Sequence, residues 1–304
     1  MYDMIGPAYK LSVIIVTYNS EKDIFDCLKS VYGYSDIPAA ELEVIVVDNN
    51  SLRCDETFSH IHSLYPDVKL LRNERNGGYG QGNNIGIRYA SAPVILIMNP
   101  DVRLMEPIFA TALQAFEKDS GLCMYGMKQM FSESRASMRS FSFTNMMNGY
   151  LWVMLTAVCN RMEWFIPRYQ YIQGSCFFVR KSAMEAVGMF DESFFLYGEE
   201  DDLHYKIVAE YGPAIIYNPK LRFIHLVEER SPDLEYEKKL LDVAIRRHEL
   251  KGYSRKRTLR NYLRRANVRL LREYIRKRVR HDEDGFAVIS AFRDHIRTEL
   301  SALS

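Results

Sequence analysis

The chain is poor in the features that mark a zinc site, a membrane span or a disulfide-stapled fold. Its 304 residues include five cysteines, Cys27, Cys54, Cys123, Cys159 and Cys176. No two form a C-x-x-C pair and none has zinc-finger spacing, so reduced thiols in a cytosolic protein are expected. Cys27 and Cys176 lie inside apolar patterns and read as core fillers, not nucleophiles. Long apolar runs are missing too. The nearest candidate, residues 150–158, is too short for a hydrocarbon core of about 30 Å. Residues 1–10 lack both a basic start and an apolar run, so no secretory leader is read there. No Gly-Lys-Ser/Thr occurs, and no glycine spacing fits a dinucleotide fingerprint, which excludes the two commonest phosphate loops. Internal repeats and low-complexity tracts are absent. A dominant charge sign is also lacking, since the formal net charge is +1. That balance hides an asymmetry. Residues 246–280 carry 15 Lys/Arg against two acids, Glu249 and Glu273, leaving 25 Lys/Arg against 37 Asp/Glu elsewhere. The basic tail is a separate feature.

What is present is a series of short apolar runs with polar ends. Residues 94–98, Val-Ile-Leu-Ile-Met, stop at Asn99-Pro100-Asp101. The run is β-branched and too short for a helix, so it reads as a buried strand. Residues 11–16 end in Thr17-Tyr18-Asn19-Ser20, and residues 42–47 end in Asp48-Asn49-Asn50-Ser51. Helical periodicity lies between them, near residues 23–31, 56–64 and 81–90. Strand and helix in alternation predict a parallel sheet covered on both faces. Right-handed crossovers then bring the polar ends to one edge, where ligands bind in open α/β sheets. Two plainer readings are open at these turns. Asp101 would cap a helix starting near Met105, and Asn19 or Ser20 would cap one from Glu21. A glycine-rich turn, Asn76-Gly77-Gly78-Tyr79-Gly80-Gln81-Gly82-Asn83-Asn84, precedes the third helix. Close backbone approach to an anion at a helix N-terminus is one use for it. A flexible connector is another.

Taken together, residues 13–20, 46–51, 76–86 and 96–101 resemble the successive blocks of a family 2 inverting glycosyltransferase with the GT-A fold. The rhamnosyltransferase-like branch is the most similar. Gln173-Gly174-Ser175-Cys176-Phe177-Phe178 and Phe194-Phe195-Leu196-Tyr197-Gly198-Glu199-Glu200-Asp201-Asp202 fit the same branch. The resemblance covers residues 11–230 and stops before the basic tail. It implies an α/β fold with a GT-A-type mostly parallel sheet flanked by helices; the apolar spacing in residues 233–304 adds a helical C-terminal extension. The expected division is residues 1–232 for the transferase domain and 233–304 for the extension. Within the first, residues 11–130 form the nucleotide half, 171–232 the acceptor half, and 131–170 an insertion.

The resemblance also implies roles. Asp101 would bind a divalent cation, Mg²⁺ or Mn²⁺, that holds the donor diphosphate. Asn99 stands where a first aspartate is often found, which weakens the charge available to the metal. His225 follows an apolar run and is a second candidate ligand. Its plainer role is packing at a strand end. Asp48 matches the residue that reads the nucleotide base; a carboxylate accepts the N3–H of uracil or thymine. Thr17, Tyr18, Asn19, Asn76, Gly77 and Asn84 would line the nucleotide-sugar site. Glu200 stands at the position of the catalytic base, with Asp202 and Glu199 as rivals. An acidic helix N-terminus in solvent is the plainer alternative. Gly174 and Tyr197 would face the acceptor.

The expected function is thus a metal-dependent inverting transfer of a sugar, rhamnose by branch, from a dTDP- or UDP-sugar donor. The acceptor would be a growing bacterial surface polysaccharide or a polyprenyl-linked saccharide. A catalytically inactive relative acting as a membrane-docking or assembly module is the alternative. In the tail, Leu259, Tyr262, Leu263, Ala266, Leu270 and Tyr274 recur at helical spacing. Two readings are open there. One is a basic helix on an anionic membrane surface, making a cytoplasmic chain peripheral on the inner face of the cell membrane. The other is packing against the domain or within a homo-oligomer. Nucleic acid is not expected, because aromatics for base stacking are few in the tail. The aromatic and Met-rich insertion reads as a helical hairpin beside the acceptor, or as a core or oligomer element.

Overall fold

The computed structural model describes residues 9–137, 139–144, 148–226, 233–280 and 284–303. In chain order the elements are β1 (Leu11–Thr17), α1 (Ile24–Gly33), β2 (Leu42–Asp48), α2 (Cys54–Leu64), β3 (Lys69–Arg72), α3 (Gly78–Tyr89), β4 (Val94–Met98) and β5 (Val102–Leu104). They continue with α4 (Phe109–Lys118), β6 (Met124–Met130), β7 (Phe141–Phe143), α5 (Gly149–Met162), β8 (Gln170–Ile172), β9 (Cys176–Arg180), α6 (Lys181–Ala186) and α7 (Glu199–Tyr211). The last are β10 (Ile215–His225), α8 (Leu234–Leu250), α9 (Arg255–Arg280) and α10 (Asp284–Ser301).

An eight-stranded sheet runs β3-β2-β1-β4-β9-β6-β10-β5. β1 pairs in parallel with β2 and β4, and β2 with β3. β9 enters antiparallel between β4 and β6, and β5 closes the far edge antiparallel to β10. This is the expected α/β sheet flanked by helices. Alternation along the strands divides the core. Leu11, Val13 and Ile15 pack with Ile24, Leu28 and Val31 of α1 and with Phe109 and Phe116 of α4. Ile14, Ile45 and Val47 face Ile87 of α3, Met184 of α6 and Leu203 and Ile207 of α7. Both faces are covered, which is why these strands read as unbroken apolar runs. All five cysteines are free and buried, and burial pushes the thiols of Cys27 and Cys176 well up. They are core fillers, as their pattern implies.

The chain divides into two compact units. One comprises Met1–Ser142 and Phe165–Val227; the other comprises Phe143–Trp164 and Glu228–Ser304. The second is helical, with Leu241 and Ile245 of α8, Leu259 and Ala266 of α9, and Phe292 and Ile296 of α10 in its core. Of the α9 stripe seen in the sequence, Leu259, Tyr262, Leu263 and Ala266 pack inward, while Tyr274 is exposed. Between β7 and β8 the described residues hold one helix, α5, rather than a hairpin.

Two expected helix starts are corrected. After Asp101 comes strand β5, not a helix near Met105; the first helix beyond is α4, at Phe109. α1 begins at Ile24 with Asp23 at its N-cap, later than Glu21. Glu21 and Lys22 lie in a turn whose Ser20 carbonyl accepts the N–H groups of Asp23 and Ile24. The glycine-rich turn is also mostly helix. A Cβ at Gly86 would lie 2.5 Å from Ile14 Cγ2, and one at Gly82 would lie 2.6 Å from Val16 Cγ1. These two glycines let α3 lie close on the sheet.

At the sheet edge opposite the polar turns, Glu43 of β2 is almost completely buried. It accepts hydrogen bonds from Ser12 Oγ, from Ser91 N at 2.8 Å and from Lys69 Nζ. Burial alone would raise its pKa, but Lys69, Ser12 and the Ser91 amide together hold it below its ordinary 4.5. A depressed folded pKa stabilises the fold above the unfolded value and loses that contribution as pH falls through the folded one. Glu43→Ala should therefore cost about 2–4 kcal/mol in urea unfolding at neutral pH. The gap between variant and parent should narrow as pH drops below about 4.

Candidate active site

The parallel register sets the site. Thr17 at the end of β1 stands opposite Asp48 at the end of β2, and Ile15 is opposite Met98, just before Asn99. The polar turns after β1, β2 and β4 thus share one edge, as the crossover rule requires.

At the β1–β2 end the two turns are laced together. Asp48 is buried; its carboxylate accepts Ser51 N at 2.8 Å and Thr17 Oγ1 at 3.4 Å. Asn19, in the left-handed region at φ 49°, donates its N–H to Ser51 Oγ at 2.8 Å. Its side-chain oxygen accepts Leu52 N at 3.0 Å. Tyr18 stands out from this lattice, 52% exposed. Just behind Asp48, burial and then the Asp48 carboxylate push the Cys54 thiol up to about 11, keeping it protonated.

The glycine-rich segment follows. Asn76 Oδ1 accepts Gly78 N at 3.0 Å, and Gly78 has φ +86°. A Cβ at Gly78 would lie 1.9 Å from Phe195 O, so only glycine fits there. Asn76 and Gly77, with Arg75, Gln81 and Glu192, line a polar cavity of about 230 Å³. Asn84 has a separate task. It is buried; its amide bonds both the O and the N of Phe190, at 2.9 and 3.1 Å, and also Glu192. That clamp joins α3 to the turn after α6.

At the β4 end, Asn99 N donates to Ser175 O at 2.8 Å, which sets the Asn99–Asp101 turn beside Gly174. Asp101 Oδ2 lies 3.3 Å from His225 Nε2 at the end of β10. The antiparallel β5–β10 pair, with His225 opposite Val102, brings these two together. An oxygen and an imidazole nitrogen that converge in this way suit a borderline divalent cation. His225 Nδ1 is buried with no hydrogen-bond partner among the described residues. No third His, Cys, Asp or Glu joins the pair among the described residues.

The acidic segment opens α7 behind Gly198, at φ 102°. Its members are not equivalent. Glu199 and Asp201 are buried, and Asp202 is paired with Lys206 at 2.8 Å. Glu200 is partly open, and a Cβ at Gly174 would lie 3.7 Å from Glu200 Cβ. Glu200 and Gly174 therefore meet. Tyr197, at φ 71°, is exposed on the approach to them.

Two residues escaped the sequence reading. Tyr79 donates its hydroxyl to Gly174 O at 2.5 Å and its backbone N–H to Phe195 O at 3.0 Å. Burial, then Glu200, then Glu199, push its phenol well up, so it stays a donor. An aromatic flanked by glycines was the available signal. Arg75 lines the polar cavity, and its place directly before Asn76-Gly77 was the only hint.

The chain is similar to several proteins of known name. It is 28% identical over 214 residues to the low-salt glycan biosynthesis hexosyltransferase of Haloferax volcanii, covering 66% of this chain and 62% of that one. The matched segment thus spans less than two thirds of that relative. It is 25% identical over 237 residues to the N-acetylglucosaminyl-diphospho-decaprenol L-rhamnosyltransferase of Mycobacterium tuberculosis, covering 71% and 75%. Its fold superposes on the mannosyltransferase of Pyrobaculum calidifontis solved with GDP-Man and Mn²⁺. That match has a TM-score of 0.56 at 18% identity and covers 99% of this chain and 73% of that one. The likeness is one of fold, and it agrees with the GT-A sheet described above. The family model "Glycosyl transferase family 2" matches residues 12–188, more than half of the chain, and the chain belongs to that family.

Proposed function

We propose that this chain is an inverting sugar transferase that moves a sugar from a dTDP- or UDP-linked donor to a growing saccharide or a polyprenyl-linked acceptor. The observation that supports it most is the arrangement along one sheet edge. Asp48 at the end of β2 is bonded to Thr17, and Asn99, beside the Asp101–His225 pair, is bonded to Ser175, next to Gly174 and Glu200; the parallel register of β1 with β2 and β4 sets these ends on the same side.

On this reading Asp48, oriented by Ser51 and Thr17, accepts the N3–H of uracil or thymine. Tyr18 and Asn19 border the base, and Asn76 and Gly77 border the rest of the nucleotide-sugar. Asp101 and His225 would hold Mg²⁺ or Mn²⁺, with the amide oxygen of Asn99 as a weak third donor. A carboxylate oxygen and an imidazole nitrogen would suit such an ion. When bound, the cation supplies neutralisation of the diphosphate charge. Glu200 takes the proton of the acceptor hydroxyl. The hydroxyl oxygen bonds to the anomeric carbon, and the C–O bond to the diphosphate breaks with its electron pair on the leaving nucleotide. Attack from the opposite face inverts the anomeric centre. Tyr79 and Gly174 set the wall beside Glu200. Glu200 is preferred over Asp202, which Lys206 engages, and over Glu199, which is buried.

A rhamnosyl donor is supported by the mycobacterial relative, whose name joins L-rhamnosyl transfer to a diphospho-decaprenol acceptor. Such an acceptor lies at a membrane surface, so the reading includes peripheral attachment to the anionic inner face of the cell membrane. A screen of nucleotide-sugars that follows nucleotide release tests the donor, and silence toward every dTDP- and UDP-sugar would refute it.

Two substitutions test the roles. Asp101→Ala lies in a partly open turn and should leave the fold intact. It should abolish the extra rise in melting temperature that Mn²⁺ adds to UDP or dTDP in the parent, since only a bound ligand stabilises by linkage. An unchanged Mn²⁺-dependent rise would remove Asp101 as a ligand. Glu200→Gln should keep nucleotide binding and lower turnover by a factor on the order of 10² to 10⁴. Near-normal turnover there, with collapse in Asp202→Asn, would move the base to Asp202.

A further inference from the structure

Helix α5 is inside out. Its buried residues are Gly149, Thr156, Cys159 and Asn160, a set of small and polar side chains. Its outward residues are Leu151, Met154, Val158 and Met162, which are 48%, 53%, 43% and 51% exposed. A helix on a water-facing surface carries the opposite pattern. The inner face is fully committed within the helical unit. A Cβ at Gly149 would lie 2.2 Å from Asn261 O of α9, and the Arg265 guanidinium stacks on Trp152 at 3.9 Å. Trp152 Nε1 donates to Phe143 O at 2.7 Å. Rotation to hide the apolar arc would break these contacts, so the arc stays in solvent until something covers it.

Charge points to what that is. Arg161 is exposed in the last turn of α5. At the other end, Arg260 is exposed on α9 next to Asn261, and Arg264 packs beside Gly149. Neither Arg161 nor Arg260 has an ion-pair partner among the described residues. The apolar arc is therefore bracketed by cations. A second copy of the chain would bring like charges together. An anionic lipid surface would accept both parts, acyl chains against the arc and phosphates against the guanidiniums. With 14 residues, α5 is about 21 Å long, too short to span and suited to lie in the interface. Among the described residues no helix is long and apolar enough to cross a membrane. On α9 the stripe residues Leu259 and Ala266 are already in the helical core, and only its C-terminal part, with Leu271, Tyr274 and Ile275, is exposed.

From this we infer that the outer face of α5, through Leu151, Met154, Val158 and Met162, is the surface by which the chain docks on anionic membrane. This deepens the membrane reading above and rests on it. The test is flotation of the full chain with phosphatidylglycerol–phosphatidylcholine vesicles and with phosphatidylcholine vesicles alone. The parent should float with the anionic vesicles only, and less so as salt rises. Changing Leu151, Met154 and Val158 together to Gln should cut the bound fraction about tenfold or more, with melting temperature and nucleotide release on a soluble acceptor unchanged. If the triple variant fails to fold, Met154→Gln alone should still cut it about threefold. Arg161→Gln with Arg260→Gln should weaken binding and flatten its salt dependence. Full flotation of a folded triple variant would overturn the role of α5 while leaving membrane attachment to the other cations. A parent that never floats would overturn both. A parent dimer that the triple variant dissociates would show that a second copy covers the face, and would overturn the inference.

Discussion

The parallel pairing of β1 with β2 and β4 is the constraint on which the polar edge depends. It places Thr17, Asp48 and the Asn99–Asp101 turn along one line without any contact among their side chains being required. The pairing in turn needs both faces of the sheet covered. Gly82 and Gly86 let α3 approach closely on one side, and α1 and α4 fill the other. A side chain at either glycine would push α3 outward and take with it the Asn76–Gly78 turn, which is built on the start of that helix.

The second constraint is the antiparallel insertion of β9 between β4 and β6. It turns Gly174 and Ser175 toward the polar edge, where Asn99 N, Tyr79 Oη and Glu200 meet them. The parallel half of the sheet supplies the nucleotide-side residues, and the antiparallel half supplies the residues beside Glu200. Asp101 and His225 belong to the seam made by β5 and β10 at the far edge. Each functional pair thus draws its members from strands far apart in sequence.

The helical unit obeys a different rule. Its core joins Leu241 and Ile245 of α8 and Phe292 and Ile296 of α10 to Leu259 and Ala266, two residues of the regular spacing seen in α9. Arginines there do more than solvate: Arg269 pairs with Glu237 and Arg265 stacks on Trp152. Charge that looked like a uniform basic face is divided between internal pairs and an open remainder around α5.

The sequence by itself determined the parallel strands β1, β2 and β4 and the residue types at their polar ends, while the antiparallel places of β9 and β5 were decided by tertiary structure. An apolar run closed by Asp or Asn is a local signal, and crossover handedness converts local signals into a shared edge. It also marked Cys27 and Cys176 as core fillers, because apolar neighbours predict burial. It could not show which member of Glu199-Glu200-Asp201-Asp202 is open, because all four lie in one turn and only packing tells them apart. It read as a turn a segment that is mostly helix α3, since glycines of a turn and glycines that let a helix lie close on a sheet look alike in one dimension. The Tyr79–Gly174 bond spans 95 positions and the Asn84 clamp 106, so no periodicity could reveal them. Tertiary structure alone decided that Leu259 and Ala266 of α9 pack inward while α5 turns its apolar side out. Which face of a helix is covered depends on the neighbour it meets, and the α9 residue bonded to Tyr150 lies 117 positions along the chain.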